Sequence, residues 1–314
     1  MQAVKTFLVN KVKKSKPSNV LLPEWQVEYC SDSIVAEEPL EIWLKQQSSS
    51  SSKPERLMTT MRSPGDDINL VAGWLHTSGL VGQASCVQSI SHTGSEHLRQ
   101  GTSNQILVTM MPNERVDTTQ QNRLEYASSS CGVCGQQSIE SLLEKLPNSS
   151  KQLKAILPFT AIYPLAQALL EKQVVFEKTG GNHGAGLFEI RSKAPWELID
   201  VREDVGRHNA LDKLIGANFE LLLGDNEDDF AADPAPDYGI VLSGRVSFDL
   251  VQKAAMANIR LIIAMGAPSS LAIELANECD ICMVGFVKET SFNLYSAEET
   301  IDMQPASVGI RQEL

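Results

Sequence analysis

Residues 239–287 read GIVLSGRVSFDLVQKAAMANIRLIIAMGAPSSLAIELANECDICMVGFV. Three apolar runs stand out in this stretch, Gly239 to Leu242, Ile259 to Ala264 and Ile281 to Val287. Each is about strand length and lacks polar alternation, as strands buried on both faces do. Between them lie helical patterns, one from Ser247 to Asn258 and one through Leu271, Ile273, Glu274 and Leu275. Strand, helix, strand, helix, strand with short connections predicts a parallel sheet covered by helices. The connections are Ser243-Gly244-Arg245 and Gly266-Ala-Pro268-Ser269-Ser270. Both lead from a strand C-terminus into a helix N-terminus, where open α/β sheets bind ligands and unpaired N–H groups attract phosphate. Ser243 or Ser247, and Ser269, would serve equally well as ordinary helix caps.

Upstream, Thr160 to Gln173 and Arg207 to Ile215, with Gly216 as stop, supply further helices. Asp225 to Asp237 holds six acids, Pro234, Pro236 and no base, which reads as a surface insertion. In the first half, residues 20 to 44 read as strands ending in the alternating Pro39-Leu-Glu-Ile-Trp-Leu44, and Glu55 to Met61 returns as a hairpin arm. Ser63-Pro64-Gly65-Asp66-Asp67 reads as a helix start, with a Ser cap, Pro at the first helical position and two acids at the positive end. That helix should run through Val71, Trp74 and Leu75 and stop near Gly79, and Ile106 to Met110 is another strand. The expected organisation is a flexible basic arm at 1–19, an α+β unit at 20–145 and an α/β unit at 146–314.

The chain has 314 residues and a formal net charge of −12. Bulk charge of that sign excludes general nucleic-acid binding, because phosphate counterions are released by cationic surfaces. Any anionic ligand needs a locally focused site. Six Cys are too sparse for a secreted disulfide scaffold. No apolar run reaches the ~20 residues of a spanning helix, and the Lys-rich start (Lys5, Lys11, Lys13, Lys14, Lys16) is followed by no signal-length apolar core. The expectation is a cytoplasmic protein with reduced cysteines and no membrane partner.

Cys131-Gly-Val-Cys134-Gly135 is the sharpest chemical motif, two thiols three residues apart among glycines and ahead of an amphipathic stretch (Ile139, Leu142, Leu143, Leu146). A helix starting just after Gly135 would lower the thiol pKa. A structural zinc could recruit Cys279-Asp-Ile-Cys282 as the second pair, although 144 residues separate the two pairs. Cys282 lies in an apolar strand pattern, where an inert buried Cys is ordinary. A zinc deaminase would need His-x-Glu, and none of the five His has Glu two positions on. A dithiol oxidoreductase and a persulfide carrier remain open, and no metal site is assigned. Thr179-Gly-Gly-Asn-His183-Gly-Ala-Gly186 is a glycine-rich turn with one His. Glu203 to Lys213 sets Arg207 and His208 in the first turn of a helix, where surface capping and ion pairing are the plain account.

Taken together, seven segments resemble the formate dehydrogenase accessory sulfurtransferase family (FdhD). They are Met61 to Asp67, Cys131 to Gly135, Thr179 to His183, Glu203 to Lys213, Ser243 to Phe248, Ala267 to Leu271, and Val284-Gly-Phe286 leading to Tyr295-Ser296. The resemblance implies a cytidine-deaminase-like three-layer α/β domain with a smaller N-terminal α+β domain, usually as a homodimer. It implies a sulfur carrier that accepts persulfide sulfur from a cysteine desulfurase. The sulfur passes to the molybdenum of a bis(molybdopterin guanine dinucleotide) cofactor before that cofactor enters formate dehydrogenase. The cofactor is then a bound substrate, and no permanent cofactor is expected. By motif position the persulfide residue is Cys131, with Cys134 beside it. The cofactor loop falls at Phe286, Val287, Lys288, Glu289, Thr290 and Ser291. The anion-cradle candidates are Ser243, Gly244, Arg245, Ser269, Ser270, Arg207 and His183; on an acidic chain Arg207, Arg245 and Lys288 must focus the positive potential. The rival readings are a cofactor-delivery chaperone without sulfur chemistry and a Cys-x-x-Cys dithiol oxidoreductase.

Overall fold

A computed structural model of the chain describes residues 3–14, 25–46, 53–93, 103–112, 114–116, 155–223 and 236–304. Its larger sheet takes in β8 (His183–Glu189), β9 (Leu198–Asp204), β10 (Tyr238–Leu242), β11 (Ile259–Ala264), β12 (Cys282–Lys288) and β13 (Ser291–Ser296), in the order β13-β12-β11-β10-β8-β9. β10, β11 and β12 are mutually parallel, while β8 runs antiparallel to β10. The expected strand–helix rhythm is therefore realised, with α6 (Phe248–Met256) and α7 (Ser270–Glu278) as the crossovers. Side-chain alternation places the two helical layers. Ile240, Leu242, Ile262 and Met283 pack with Val251, Ala254 and Leu275 of those helices and with Leu211 and Leu214 of α4 (Arg207–Ala217). Val241, Leu261, Ile263 and Val284 pack on the other face against Ile162, Leu165 and Leu169 of α2 (Ile162–Lys172). Three layers, helix–sheet–helix, follow from that period of two.

The second unit is a four-stranded sheet, β4-β3-β6-β5, of β3 (Glu38–Lys45), β4 (Glu55–Arg62), β5 (Val87–Thr93) and β6 (Gln105–Met110). The hairpin β3–β4 is antiparallel and β3 pairs in parallel with β6. Leu40, Ile42 and Leu44 point inward, with Ile106, Val108 and Leu70, Val71 and Leu75 of α1 (Asp67–Thr77). That helix begins later than its sequence suggests. Ser63 is not its cap and Pro64 is not its first residue: the N-cap is Asp66, at φ 61 and with no side-chain capping bond. The reason is tertiary. Ser63 N donates to Asp204 Oδ2 at 3.0 Å and Ser63 Oγ donates to Asn182 Oδ1 at 3.1 Å, so both groups are used across the interface between the units.

That interface is built from the Met61–Asp67 and Glu203–Lys213 motifs. α1 and α4 run antiparallel at backbone contact: a Cβ on Gly73 would strike the Asp212 carbonyl, and one on Gly216 would strike the Asn69 carbonyl. Arg62 forks onto Asp67 with both bonds at 2.9 Å, and Lys213 Nζ reaches Asp204 at 2.7 Å and Ser63 O at 2.9 Å. Asp212 is held by Lys253 and by Thr77, each at 2.8 Å. The Glu203–Lys213 block, whose sequence suggests surface capping and ion pairing, does carry ion pairs, but within the interior: Asp204, Asp212 and Lys213 are fully buried. Buried charges persist only when paired, and here each is.

The Lys-rich start is also corrected. Instead of a free arm it forms β1 (Val4–Lys14), paired antiparallel along its whole length with β2 (Trp25–Val35). Val4, Leu8 and Val12 fall on one face of the strand, but at every fourth residue with Thr6 and Asn10 between them, so no period-two pattern announces it among the lysines. The remaining described elements are β7 (Leu157–Pro158) with β14 (Ile301–Asp302), α3 (Val174–Thr179) and α5 (Phe219–Leu223). Among the described residues no helix is long and apolar enough to cross a membrane.

Candidate functional site

The loops leaving β10, β11 and β12 are stitched together by backbone hydrogen bonds. Val246 N donates to Ala267 O at 3.1 Å, Ser269 N to Val246 O at 2.9 Å, Gly266 N to Gly244 O at 3.2 Å and Phe286 N to Gly266 O at 3.2 Å. Only glycine permits this spacing: a Cβ on Gly266 would lie 2.7 Å from the Gly244 carbonyl and from Arg245 N. The start of β8 joins the same edge, because Ser243 N donates to Gly184 O at 3.0 Å and Ser243 Oγ accepts from Gly184 N at 2.8 Å. Ser243 is therefore a strand tie and not a helix cap. Ser269 is the cap of α7, its Oγ accepting from Ala272 N.

His183, Gly244 and Arg207 form one cluster. A Cβ on Gly244 would sit 3.1 Å from His183 Nδ1 and 3.9 Å from Arg207 Cδ. Arg207 opens α4 directly after the N-cap Gly206, at the end where a helix leaves backbone N–H groups unpaired. Its Nε is buried and has no hydrogen-bond partner among the described residues. A buried guanidinium N–H without an acceptor is costly, and an anion in the cluster would satisfy it. The nearby acid, Asp204, is already taken up by Lys213, Ser63 N and Gly206 N. Burial first, and then Arg207, lowers the pKa of His183; the same two causes push His208 down to about 4. Both imidazoles are thus neutral hydrogen-bonding groups at neutral pH. His208, whose part in the cluster the sequence reading passed over, has Nε2 3.2 Å from Ser247 Oγ and 3.7 Å from Asp249 Oδ2. The sequence signal for it was its position beside Arg207 in the first helical turn.

The loop at 286–291 is a tight hairpin between β12 and β13, closed by pairing of Lys288 with Ser291. Phe286 stands at φ 54 with its ring exposed; Lys288, Glu289, Thr290 and Ser291 are exposed, while Val287 is buried in the core. At about 4.8 Å between neighbouring strands, this hairpin lies roughly 10 Å from the Ser243–Arg245 loop. Arg245 and Ser270 are exposed on the same edge. Of the cradle candidates, the structure brings His183, Ser243, Gly244 and Arg207 into contact, and sets Arg245, Ser269, Ser270 and the hairpin along one rim.

Cys131, Cys134 and the loop around them lie outside the described residues. Cys279 and Cys282 are described. Burial pushes their thiols up to about 11 and about 12, and they pack into opposite faces of the sheet. Facing opposite layers, they cannot act as one ligand pair, which removes the four-cysteine zinc arrangement.

A family model described as the FdhD/NarQ family matches residues 35–302. Among curated proteins, the chain is similar to two named Sulfur carrier protein FdhD, from Streptomyces coelicolor and Corynebacterium efficiens. The first is 38% identical over 278 residues, covering 88% of this chain and 91% of that protein. The second is 40% identical over 275 residues, covering 85% and 90%. The fold is also similar to a crystal structure from Desulfotalea psychrophila, provisionally named a formate dehydrogenase accessory protein. It has TM-score 0.60 and 21% identity, covering 95% of this chain and 99% of that one.

Proposed function

The chain belongs to the FdhD/NarQ family, and from that premise we propose that it is a sulfur carrier serving formate dehydrogenase. In this reading the thiolate of Cys131 attacks the terminal sulfur of a cysteine desulfurase persulfide. That S–S bond breaks, the desulfurase cysteine leaves as thiolate, and Cys131 becomes the persulfide. Cys134 then assists release: its thiolate attacks the Cys131 Sγ, the terminal sulfur departs to the molybdenum of the bis(molybdopterin guanine dinucleotide) substrate, and a thiol reductant resets the disulfide. Small residues from Ser128 to Gly135 suit a segment that must enter one active site and then face another. Cytoplasmic location, a homodimer and domain limits near residues 19 and 145 belong to the same proposal. So does the cytidine-deaminase-like description of the larger unit; the strand order β9-β8-β10-β11-β12, with β8 antiparallel to β10 and helices on both faces, supports it.

The observation that carries the ligand half is the buried Arg207 Nε, without a partner among the described residues, beside neutral His183 and the start of α4. These groups suit a pyrophosphate, with the 286–291 hairpin further along the same sheet edge, beyond the Ser243–Arg245 loop, to meet the nucleoside. No resident metal is needed in the cradle. Alkylation of the thiols tests the proposal against a chaperone that only delivers cofactor. A sulfur carrier loses formate dehydrogenase activation and keeps guanosine diphosphate binding; a delivery chaperone keeps both. Activation restored by any small dithiol would favour the oxidoreductase reading.

A further inference from the structure

A groove of about 780 Å³ lies at the seam between the two units, where the C-terminal end of α4 meets α1. Ile68 and Leu75 of α1, Val87 and Ile90 of β5, and Phe219 and Leu221 of α5 line it, with Glu220 as the single charged residue of the lining. An apolar groove of this kind receives the stripe of an amphipathic helix, whose anchors recur at i, i+3, i+4 and i+7. The chain carries that spacing outside the described residues, in Ile139, Leu142, Leu143 and Leu146, with Ser138 placed as a cap and Pro147 as a stop. We propose that Ile139–Leu146 of the same chain occupies the groove, which thereby anchors the Cys131–Cys134 loop.

Two observations favour this occupant. The first is where the described chain ends. Val116, the last described residue before 117–154, is buried in one cluster with Leu75 and Val81 and packs with Val87 and Ile90, all four of which line the groove. The chain therefore leaves the described residues at the groove's own wall. A tether of 22 residues, 117–138, then holds Ile139 at a local concentration on the order of millimolar, so a modest apolar contact suffices to fill the groove. The second is pattern. Among the stretches outside the described residues, 139–146 alone sets four apolar residues at helical spacing; 47–52 is Gln and Ser, and 224–235 is rich in Asp.

The consequence for function rests on the sulfur-carrier reading. α4 runs from Arg207 to Ala217, about 15 Å, with the anion cluster at its first residue and the groove at its last turn. Cys131 stands eight residues before Ile139, a reach of up to about 27 Å. An anchored segment keeps both thiols within range of the cluster while leaving them free to meet a sulfur donor.

Photocrosslinking of the full chain tests the anchor. Protein carrying Glu220→p-benzoylphenylalanine at the groove is mixed with an isotope-labelled copy, irradiated, and its crosslinks are mapped by mass spectrometry. Crosslinks should join residue 220 to the peptide containing Ile139–Leu146 within one chain. Adding Leu142→Glu together with Leu143→Glu should reduce that yield roughly tenfold or more, because two buried apolar anchors are lost. Ser141→Glu, on the polar side of the same spacing, should leave it within about twofold. Crosslinks between light and heavy chains, crosslinks to other segments in place of 139–146, or a yield unchanged by the double variant would overturn the proposal. None of these readouts uses a sulfur donor. Persulfide loading of Cys131 without the crosslink would sink the anchor alone, and the crosslink without loading would sink the carrier reading alone.

Discussion

Replacing Gly216 by alanine should loosen the joint between the two units and disturb the anion cluster at the far end of the same helix. In an isolated helix the change would stabilise, since Ala exceeds Gly by about 1 kcal/mol. Here the new methyl overlaps the Asn69 carbonyl oxygen and lies 2.8 Å from both Asn69 C and Gly73 N. These are backbone atoms, so no side chain can rotate away. Carbon contacts relax only at about 3.5–4 Å, so α1 and α4 must separate by roughly 1 Å or more. Overpacking of this kind costs about 1–3 kcal/mol, and more where backbone must move. Subtracting the propensity gain from the upper part of that range leaves a net loss of about 1–2 kcal/mol, or roughly 1.5–3 °C in melting temperature for a chain of this size. Because α4 begins at Arg207, guanosine diphosphate affinity should fall as well. Gly82→Ala is the control, since a Cβ there meets nothing within 4 Å. Scanning calorimetry and nucleotide titration on both variants decide the matter. A Gly216→Ala protein as stable as the Gly82→Ala protein would refute the claim that backbone contact between these helices holds the units together.

Arg207→Gln should weaken guanosine diphosphate binding by roughly 10- to 100-fold, the loss of about 1.5–3 kcal/mol for a charge-assisted phosphate bond; equal affinity by titration calorimetry would place the phosphates elsewhere. His208, held neutral in the fold to about pH 4, opposes folding as the unfolded chain protonates. Relative to His208→Asn, the wild type should lose stability as pH falls from about 6.5 to 4 and level off below, by about 3 kcal/mol at most. Urea titrations that show a constant difference across that range would contradict the burial of this imidazole. Cys279→Ala and Cys282→Ala should leave sulfur loading unchanged, because thiols pushed to about 11 and 12 are protonated at neutral pH; a loss of loading without loss of fold would reinstate them.

The parallel core was readable because buried strands write themselves as uninterrupted apolar runs, and the Ser243–Arg245 and Gly266–Ser270 turns punctuate them cleanly. What the sequence hid were choices settled by distant partners. Ser63 looks like a cap, yet Asp204 and Asn182 claim it from more than a hundred residues away. Lys213 and Asp212 look like surface charges, yet they close a buried network that no local pattern displays. The β1–β2 ribbon is hard to read in the sequence because Val4, Leu8 and Val12 recur only every fourth residue, a spacing that does not single out a strand, and the lysines among them suggest solvation. Arg207 and His183 were identified singly, but only strand order brings β8 and the start of α4 to the edge of β10, which is what makes them one site.

The most direct test of the sulfur-carrier account is peptide mass spectrometry after incubation of the full chain with a cysteine desulfurase and free cysteine, without reductant. The account requires a mass increase of one sulfur atom on the peptide containing Cys131, reversed by dithiol treatment and absent from Cys131→Ala. An unmodified Cys131, or sulfur that still loads the Cys131→Ala protein, would contradict it.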